Sequence, residues 1–399
     1  YGRANAWSGR PVTDGTLFEI ASMSKVVTAY VALRLVDQGL ISLDEPLNAY
    51  LREPWLPDPR DRDAVTLRHV LSHTSGLGAS ITANRELLFP PGNHYYYSGI
   101  GFMYLQEVIQ HVTGKPLEFL AQEMVFTPLG MTSSSFAKET TLVPYTANGH
   151  LRLFIPALAF FGLFVTALIP IGLLGLPLSR ILRGKWRPSV HMVIGGAWLA
   201  FLLCLLPLWI LFNPLGMLEF VWLLGSVGLA LLAVFGVGII GTSAVIARVF
   251  GKRRGPRIAG TMLVLLGLCI AVSRTGNVPV PRWPEVVPNG AGTIRATVGD
   301  MASFLIELAN PQHLSLPIAT EMRTPQVRLG DDLSWGLGPG IMHSQQGDAL
   351  WQWGQHLDFQ SVMIIYPEHR FGVVVCTNSD LLNPDVALDI AHHALGGEV

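Results

Sequence analysis

The chain has 399 residues, enough for two or three domains. Half are hydrophobic and only 14% are charged, with a mean hydropathy of +0.41, a composition that points to membrane spans. The net charge of −1 hides an asymmetry: residues 151–275 hold eleven Lys/Arg and one acid, Glu219, hence +10, which leaves −11 for the remainder and argues against nucleic acid as a partner.

In chain order, Tyr1-Gly2-Arg3-Ala4-Asn5-Ala6 reads as a strand already in progress, with a turn at Ser8-Gly9. With no initiator Met or signal-like start, the expectation is that the natural chain begins earlier. The next stretch, Phe18-Glu19-Ile20-Ala21-Ser22-Met23-Ser24-Lys25, reads as a short strand running into a helix that starts near Ser22. Positions i and i+3 share a helix face, so Ser22 and Lys25 point into the same space. A serine at a helix N-terminus meets unpaired N–H groups, and a lysine one turn on can hold or take its proton. Ser-x-x-Lys also recurs by chance, and an ordinary N-capping serine has the same appearance.

Gln38-Gly39-Leu40 ends this helix with a glycine cap. Residues 41–65 form a Pro- and Asp-rich connection. A short helix capped by Thr66 follows and stops in the polar turn Ser72-His73-Thr74-Ser75-Gly76. His73 invites a catalytic reading, but the expectation is that it bonds the backbone of its own turn. Pro91 to Gly99 is a loop with three tyrosines, Tyr95, Tyr96 and Tyr97, before a helix over residues 100–113 that ends at Gly114. The tyrosines fit plain packing, or one fits a phenol acting as general base beside an ammonium. Phe126 to Met131 is a further turn.

Phe18 to Lys25, Leu71 to Leu77, the Pro91–Ser98 loop and Pro128-Leu129-Gly130-Met131, taken together, resemble the serine β-lactamase-related family of class C β-lactamases, DD-peptidases and esterases. The resemblance covers residues 1–149 and 289–399. It implies that Ser22 is the reactive serine, Lys25 its lysine and Tyr97 the catalytic tyrosine. The family's Tyr-x-Asn is here Tyr97-Ser98-Gly99, so the asparagine amide is missing.

Between these parts lie apolar runs at 153–178, 191–212, 218–247 and 258–273. A span needs roughly 20 apolar residues, so four membrane helices are expected, the last at the lower limit. The basic loops Arg180 to Arg187 and Arg248 to Arg257 fall on one side, which the positive-inside rule makes cytoplasmic. Both parts of the hydrolase then lie outside. Gly-rich stretches in the third run suit close helix packing, and Glu219 alone is thin for a transport path. The three cysteines give no disulfide framework, with Cys204 and Cys269 in apolar runs and Cys376 in a strand.

After residue 276 the sequence predicts a helix over 298–309, then strands at Leu350–Gly354, Gln360–Tyr366 and Phe371–Thr377. The last, a β-branched run, reads as a buried central strand. Pro384 to Leu395 reads as an amphipathic helix. Strands at both chain ends with helices between them fit one antiparallel sheet covered by helices. The resemblance places the family's third motif, Lys-Thr-Gly or His-x-Gly, on Gln352-Trp353-Gly354 as substrate-binding residues. The glycine is kept, and a neutral amide replaces the cation. It also implies an oxyanion hole from the backbone N–H groups of Ser22 and Gln355. His356 is nearby but does not fit the motif.

The expectation is an α/β (α+β) chain: a β-lactamase/DD-peptidase-like antiparallel sheet flanked by helices, plus a helical subdomain. Residues 1–150 and 276–399 form the hydrolase, and 151–275 a bundle of about four transmembrane helices. Its activity would be that of an extracytoplasmic serine hydrolase acting on a peptidoglycan peptide, β-lactam, ester or amide, with the lipid bilayer as partner and no metal or organic cofactor. Two other classes stay open. One is a weakly acylating sensor signalling through its helices, favoured by the missing Asn and cation. The other is a transporter, opposed by the lack of intramembrane charge.

Overall fold

The first long helix, Ser24–Asp37 (α1), is apolar on nearly every side, and a helix of that kind has to lie inside a core. Eleven of its residues are buried, among them Lys25 and Thr28. The computed structural model describes residues 1–6, 8–137, 143–152, 277–279, 287–356, 358–378 and 386–396. The four expected membrane helices lie outside the described residues. Among the described residues no helix is long and apolar enough to cross a membrane. The chain divides into two units, Tyr1–Leu151 with Val278–Val399, and Arg152–Asn277.

The helix does not begin at Ser22. A 3-10 turn, Ala21–Met23, precedes it, and Ala21 sits at φ +47. A non-glycine residue there is strained, and such strain gathers at functional sites. Beyond α1, Gly39 takes φ +69 as the expected cap. Helix α2, Leu67–Leu71, opens on a capping box in which Thr66 accepts from His69 N–H and the His69 ring accepts from Thr66 N–H. Helix α3, Ile100–Thr113, ends at Gly114 with φ +67. With α4, Leu117–Ala121, these pack around α1 as the helical part of the core.

The sheet differs from the expectation in two ways. The N-terminal strand, Arg3–Asn5 (β1), pairs antiparallel with Arg10–Pro11 (β2) as its own ladder. Phe18–Glu19 (β3) and Arg295–Ala296 (β6) form another ladder, as do His150–Arg152 (β4) and Asn277–Pro279 (β5). The main sheet is an antiparallel meander of six strands drawn entirely from the C-terminal part: Val327–Arg328 (β7), Leu333–Trp335 (β8), Gly340–Ser344 (β9), Gly347–Gln355 (β10), Gln360–Tyr366 (β11) and Phe371–Thr377 (β12).

Among the described residues the strand expected to be central, β12, is an edge with Phe371 exposed. The strand buried along its whole length is β11. Alternation explains it. Val362, Ile364 and Tyr366 face a cluster with Ala387, Ala391 and Leu395 at the C-terminal helix, Val386–Ala394 (α7), which follows Leu316–Arg323 (α6) in the chain. Met363 and Ile365 face the main core, which also takes the inner side of Val298–Ala309 (α5). Burial on both faces makes a β-branched run whichever strand is central, so β11 and β12 look alike in sequence.

Candidate active site

The site assembles where α1, the Tyr97 loop, β10 and the Asn289–Thr293 loop meet. Ser22 is half-buried, so its hydroxyl is reachable from outside, whereas Lys25 is buried. Lys25 Nζ donates to Ser22 Oγ at 3.1 Å and to the Ala291 carbonyl at 2.7 Å. It also lies 5.0 Å from the centre of the Tyr97 ring. The i, i+3 spacing thus joins the serine to the lysine despite the non-helical Ala21. Ala291 belongs to a loop whose own bonds hold it: Asn289 Oδ1 accepts from Ala291 N–H, and Gly290 O accepts from the Thr28 hydroxyl.

Tyr97 is fixed by His73, in a way its sequence context did not suggest. The ring bonds across to another loop instead of to its own turn: Nδ1 accepts from Ser98 N–H at 3.0 Å. The His73 carbonyl accepts from Tyr96 N–H at 2.7 Å. The two rings lie 4.2 Å apart, tilted by 31°. His73 adopts φ +56 and is fully buried among Tyr95, Phe102 and Trp335. Burial, and then the charge of Lys25, hold its imidazole well below the ordinary range, so it stays neutral. With Nδ1 accepting, its proton sits on Nε2, which has no hydrogen-bond partner among the described residues.

The missing asparagine has a steric cause. A Cβ on Gly99 would stand 2.5 Å from Ala79 O, and Gly99 N–H already donates to that carbonyl. The backbone of residues 79–81 fills the space an amide would need.

Strand β10 brings the third motif to the serine. Gln352 is fully buried, and its Nε2 donates to Tyr97 Oη at 3.3 Å and to Trp353 O at 2.8 Å. Its Oε1 has no partner among the described residues. Trp353 points to the opposite side and is exposed. Gly354 lies so close to the serine turn that a Cβ there would be 3.0 Å from Ser22 N and 2.2 Å from Ile20 O. The ladder with β9 ends at Trp351, so Gln352 to Gln355 present that strand edge unpaired by β9.

Beside the serine turn sits a charged group that sequence reading did not assemble. Glu19 accepts from Arg295 at 2.6 Å and from His356 Nδ1 at 2.9 Å. Burial alone would raise the Glu19 carboxyl, but the bond and charge of His356 and then Arg295 outweigh it and bring it to about 2. Asp358 goes the other way: burial, then the Glu19 charge, push it up to about 6. Among the described residues no group of three His, Cys, Asp or Glu is placed to hold a metal ion.

These features can be set against known proteins. A family profile described as Beta-lactamase matches residues 1–168 and 239–398. The esterase EstB of Burkholderia gladioli is 32% identical over 183 residues, covering 36% of this chain and 45% of that protein. The D-alanyl-D-alanine-carboxypeptidase/endopeptidase AmpH of Escherichia coli K12 is 30% identical over 156 residues, covering 34% of this chain and 39% of that one. The chain therefore spans less than half the length of these curated relatives. Among solved structures, the octameric penicillin-binding protein homologue from Pyrococcus abyssi superposes with a TM-score of 0.61 at 16% identity, covering 99% of this chain and 69% of that one. A penicillin-binding protein from Bacillus halodurans gives 0.58 at 19% identity, covering 99% and 90%. These two likenesses concern the fold, whereas the profile spans both sequence parts that build the site. The chain belongs to the Beta-lactamase family.

Proposed function

We propose that this chain is a serine hydrolase that works through an acyl-enzyme on Ser22 and favours neutral esters or amides. The observation that carries the reading is the bonded set of Ser22, Lys25 and Ala291, with Tyr97 over the lysine and Gln352 on the tyrosine. Ser22 Oγ attacks the carbonyl carbon and its proton passes to the Lys25/Tyr97 pair. The N–H groups of Ser22 and Gln355 hold the oxyanion. The proton then goes to the leaving alkoxide or amine, and water repeats the steps to release the acid. The relatives named as an esterase and as a carboxypeptidase support this class of chemistry.

The preference for neutral substrates comes from Gln352. A Lys or His there would put a charge beside Tyr97 and the strand edge, whereas the amide only donates a neutral bond. A charge-assisted hydrogen bond contributes about 1.5–3 kcal/mol against roughly 1 for a neutral one. The difference, on the order of 1 kcal/mol, is about a fivefold to tenfold loss of preference for carboxylate-bearing substrates. Neutral nitrophenyl esters should be turned over at least as well as benzylpenicillin, and Gln352→Lys should raise reactivity toward the penicillin alone. Fast penicillin hydrolysis by the wild type, unchanged in Gln352→Lys, would refute this preference. The absent cation and the closed Gly99 position also favour a second reading, a sensor that acylates slowly and does not turn over. A stable acyl adduct without product release would establish it.

We further infer that the hydrolase is membrane-borne and extracytoplasmic. The support is in the sequence: four apolar runs within 153–273 and two basic loops of like orientation. In a background lacking Cys204, Cys269 and Cys376, cysteines at Ser189 and Lys252 should resist an impermeant thiol reagent on intact cells. A cysteine at Val287, which is exposed, should react. The reverse pattern would put the hydrolase in the cytoplasm.

A further inference from the structure

The two N–H groups assigned to the oxyanion hole belong to different elements. One is on Ser22, in the turn after β3. The other is on Gln355, the last residue of β10. An oxyanion hole depends on the spacing of its donors, so whatever ties these two elements together sets its power. Two ties are made by neutral groups. Ser361 Oγ donates to Ile20 O at 2.8 Å, and Gly354 allows β10 to lie against Ser22 N.

The third tie is made by the charged Glu19 carboxylate and brackets the hole. Glu19 stands three residues before Ser22, and His356 one residue after Gln355. Their side chains meet, His356 Nδ1 to Glu19 Oε2, at 2.9 Å. Arg295 of β6 takes the other oxygen of Glu19 and so ties β3 to β6. On the His356 side, the main-chain N–H donates to Phe359 O at 2.9 Å, which closes the chain after β10 into a turn. The ring is also backed by the Asn289–Thr293 loop. Its Nε2 lies 3.5 Å from where a side chain on Gly292 would begin, and the same point is 3.8 Å from Ala21 C. The neighbouring residue, Ala291, is the one that holds Lys25. The serine turn, the lysine clamp and the end of β10 therefore converge on this pair.

We propose that Glu19 and His356 form a latch across the oxyanion hole, each acting as a positioning residue that sets the separation of the Ser22 and Gln355 N–H groups. The charged groups around it are Arg295 on β6 and Asp358 in the turn after β10. After His356, Arg295 also helps hold Glu19 in its charged form, and burial, then the Glu19 charge, push the Asp358 carboxyl up. The latch has nothing to do with ground-state binding of an ester, whose carbonyl enters the hole fully only as charge develops on it. Its loss therefore falls on the chemical step.

This inference rests on the acyl-enzyme reading above, and the experiment separates the two. Hydrolysis of p-nitrophenyl butyrate and inhibition by phenylboronic acid, which forms a tetrahedral adduct on a reactive serine, are measured on the full chain. The wild type and the Glu19→Gln, His356→Leu, His356→Gln and Glu19→Gln/His356→Leu variants are compared, with thermal unfolding recorded for each. A reacting group misplaced by about 1 Å can cost on the order of 100-fold. We expect Glu19→Gln and His356→Leu to lose about that factor in kcat and in boronate affinity, with KM within about twofold of wild type. His356→Gln, which keeps a donor for Glu19, should recover most of it, and the double variant should be no worse than the singles. Variants with wild-type kcat and boronate affinity, or losses that add in the double variant, would overturn the latch while leaving the acyl-enzyme reading intact. A wild type that neither hydrolyses the ester nor binds the boronate would overturn both. If His356→Leu does not fold, Glu19→Gln, which keeps the side-chain shape and its contact with Arg295, decides the question alone.

Discussion

A fluorophosphonate probe should attach to Ser22, and Ser22→Ala should lose the label completely. Two neighbours make the result specific. Ser24 is only two residues away but is fully buried, and its Oγ accepts from Ile294 N–H at 3.1 Å. Ser24→Ala should therefore keep most of the labelling while losing about 1–3 kcal/mol of stability, the cost of leaving a buried N–H without a partner. Lys25→Met should do the opposite. The apolar stem is roughly conserved, so folding survives, but the group bonded to Ser22 Oγ is gone. Removing a positioned proton carrier costs typically 10²–10⁴-fold, and the labelling rate should fall by about that much. Mass spectrometry of the Ser22 peptide, with unfolding curves for each variant, reads all three outcomes. Equal labelling of the wild type and Ser22→Ala would end the nucleophile assignment.

The parts of this site that were legible in the sequence are those whose partners are close along the chain. Ser22 and Lys25 are three residues apart, and helical spacing alone brings them together. Gly39, Thr66 and Gly114 mark helix ends through local backbone chemistry, and the structure keeps all three. Where partners are distant, nothing in the local pattern links them. His73 and Ser98 are 25 residues apart, and Glu19 and His356 are 337 apart. Each of these side chains has an ordinary local role open to it, as His73 had in its own turn. Likewise, the reason for Gly99 lies in the backbone at Ala79, not in its neighbours. The exchange of β11 and β12 has a similar origin: which of two apolar strands is central depends on α5 and α7, not on either strand's own residues.

Gly354→Ala should be strongly damaging for the addition of a single methyl group. A Cβ at residue 354 would stand 2.2 Å from Ile20 O, 2.6 Å from Ser361 Oγ and 3.0 Å from Ser22 N. Two of these three are backbone atoms of the serine turn, which cannot rotate away as a side chain does. The third, Ser361 Oγ, is engaged in its own bond to Ile20 O, so moving it breaks a tie between β11 and that turn. Relief therefore requires β10 and the turn to separate, and the Ser22 and Gln355 N–H groups separate with them. Overpacking of this kind costs typically 1–3 kcal/mol of stability. The larger effect falls on the chemistry, because the two elements are driven apart and an oxyanion donor lost outright costs about 10²–10³-fold in kcat. Gly330→Ala makes the same chemical change where nothing lies within 4 Å of the new methyl, and it should leave both stability and kcat unchanged. A folded Gly354→Ala protein with wild-type ester kcat would mean that β10 does not supply the second donor, and that the oxyanion is held elsewhere.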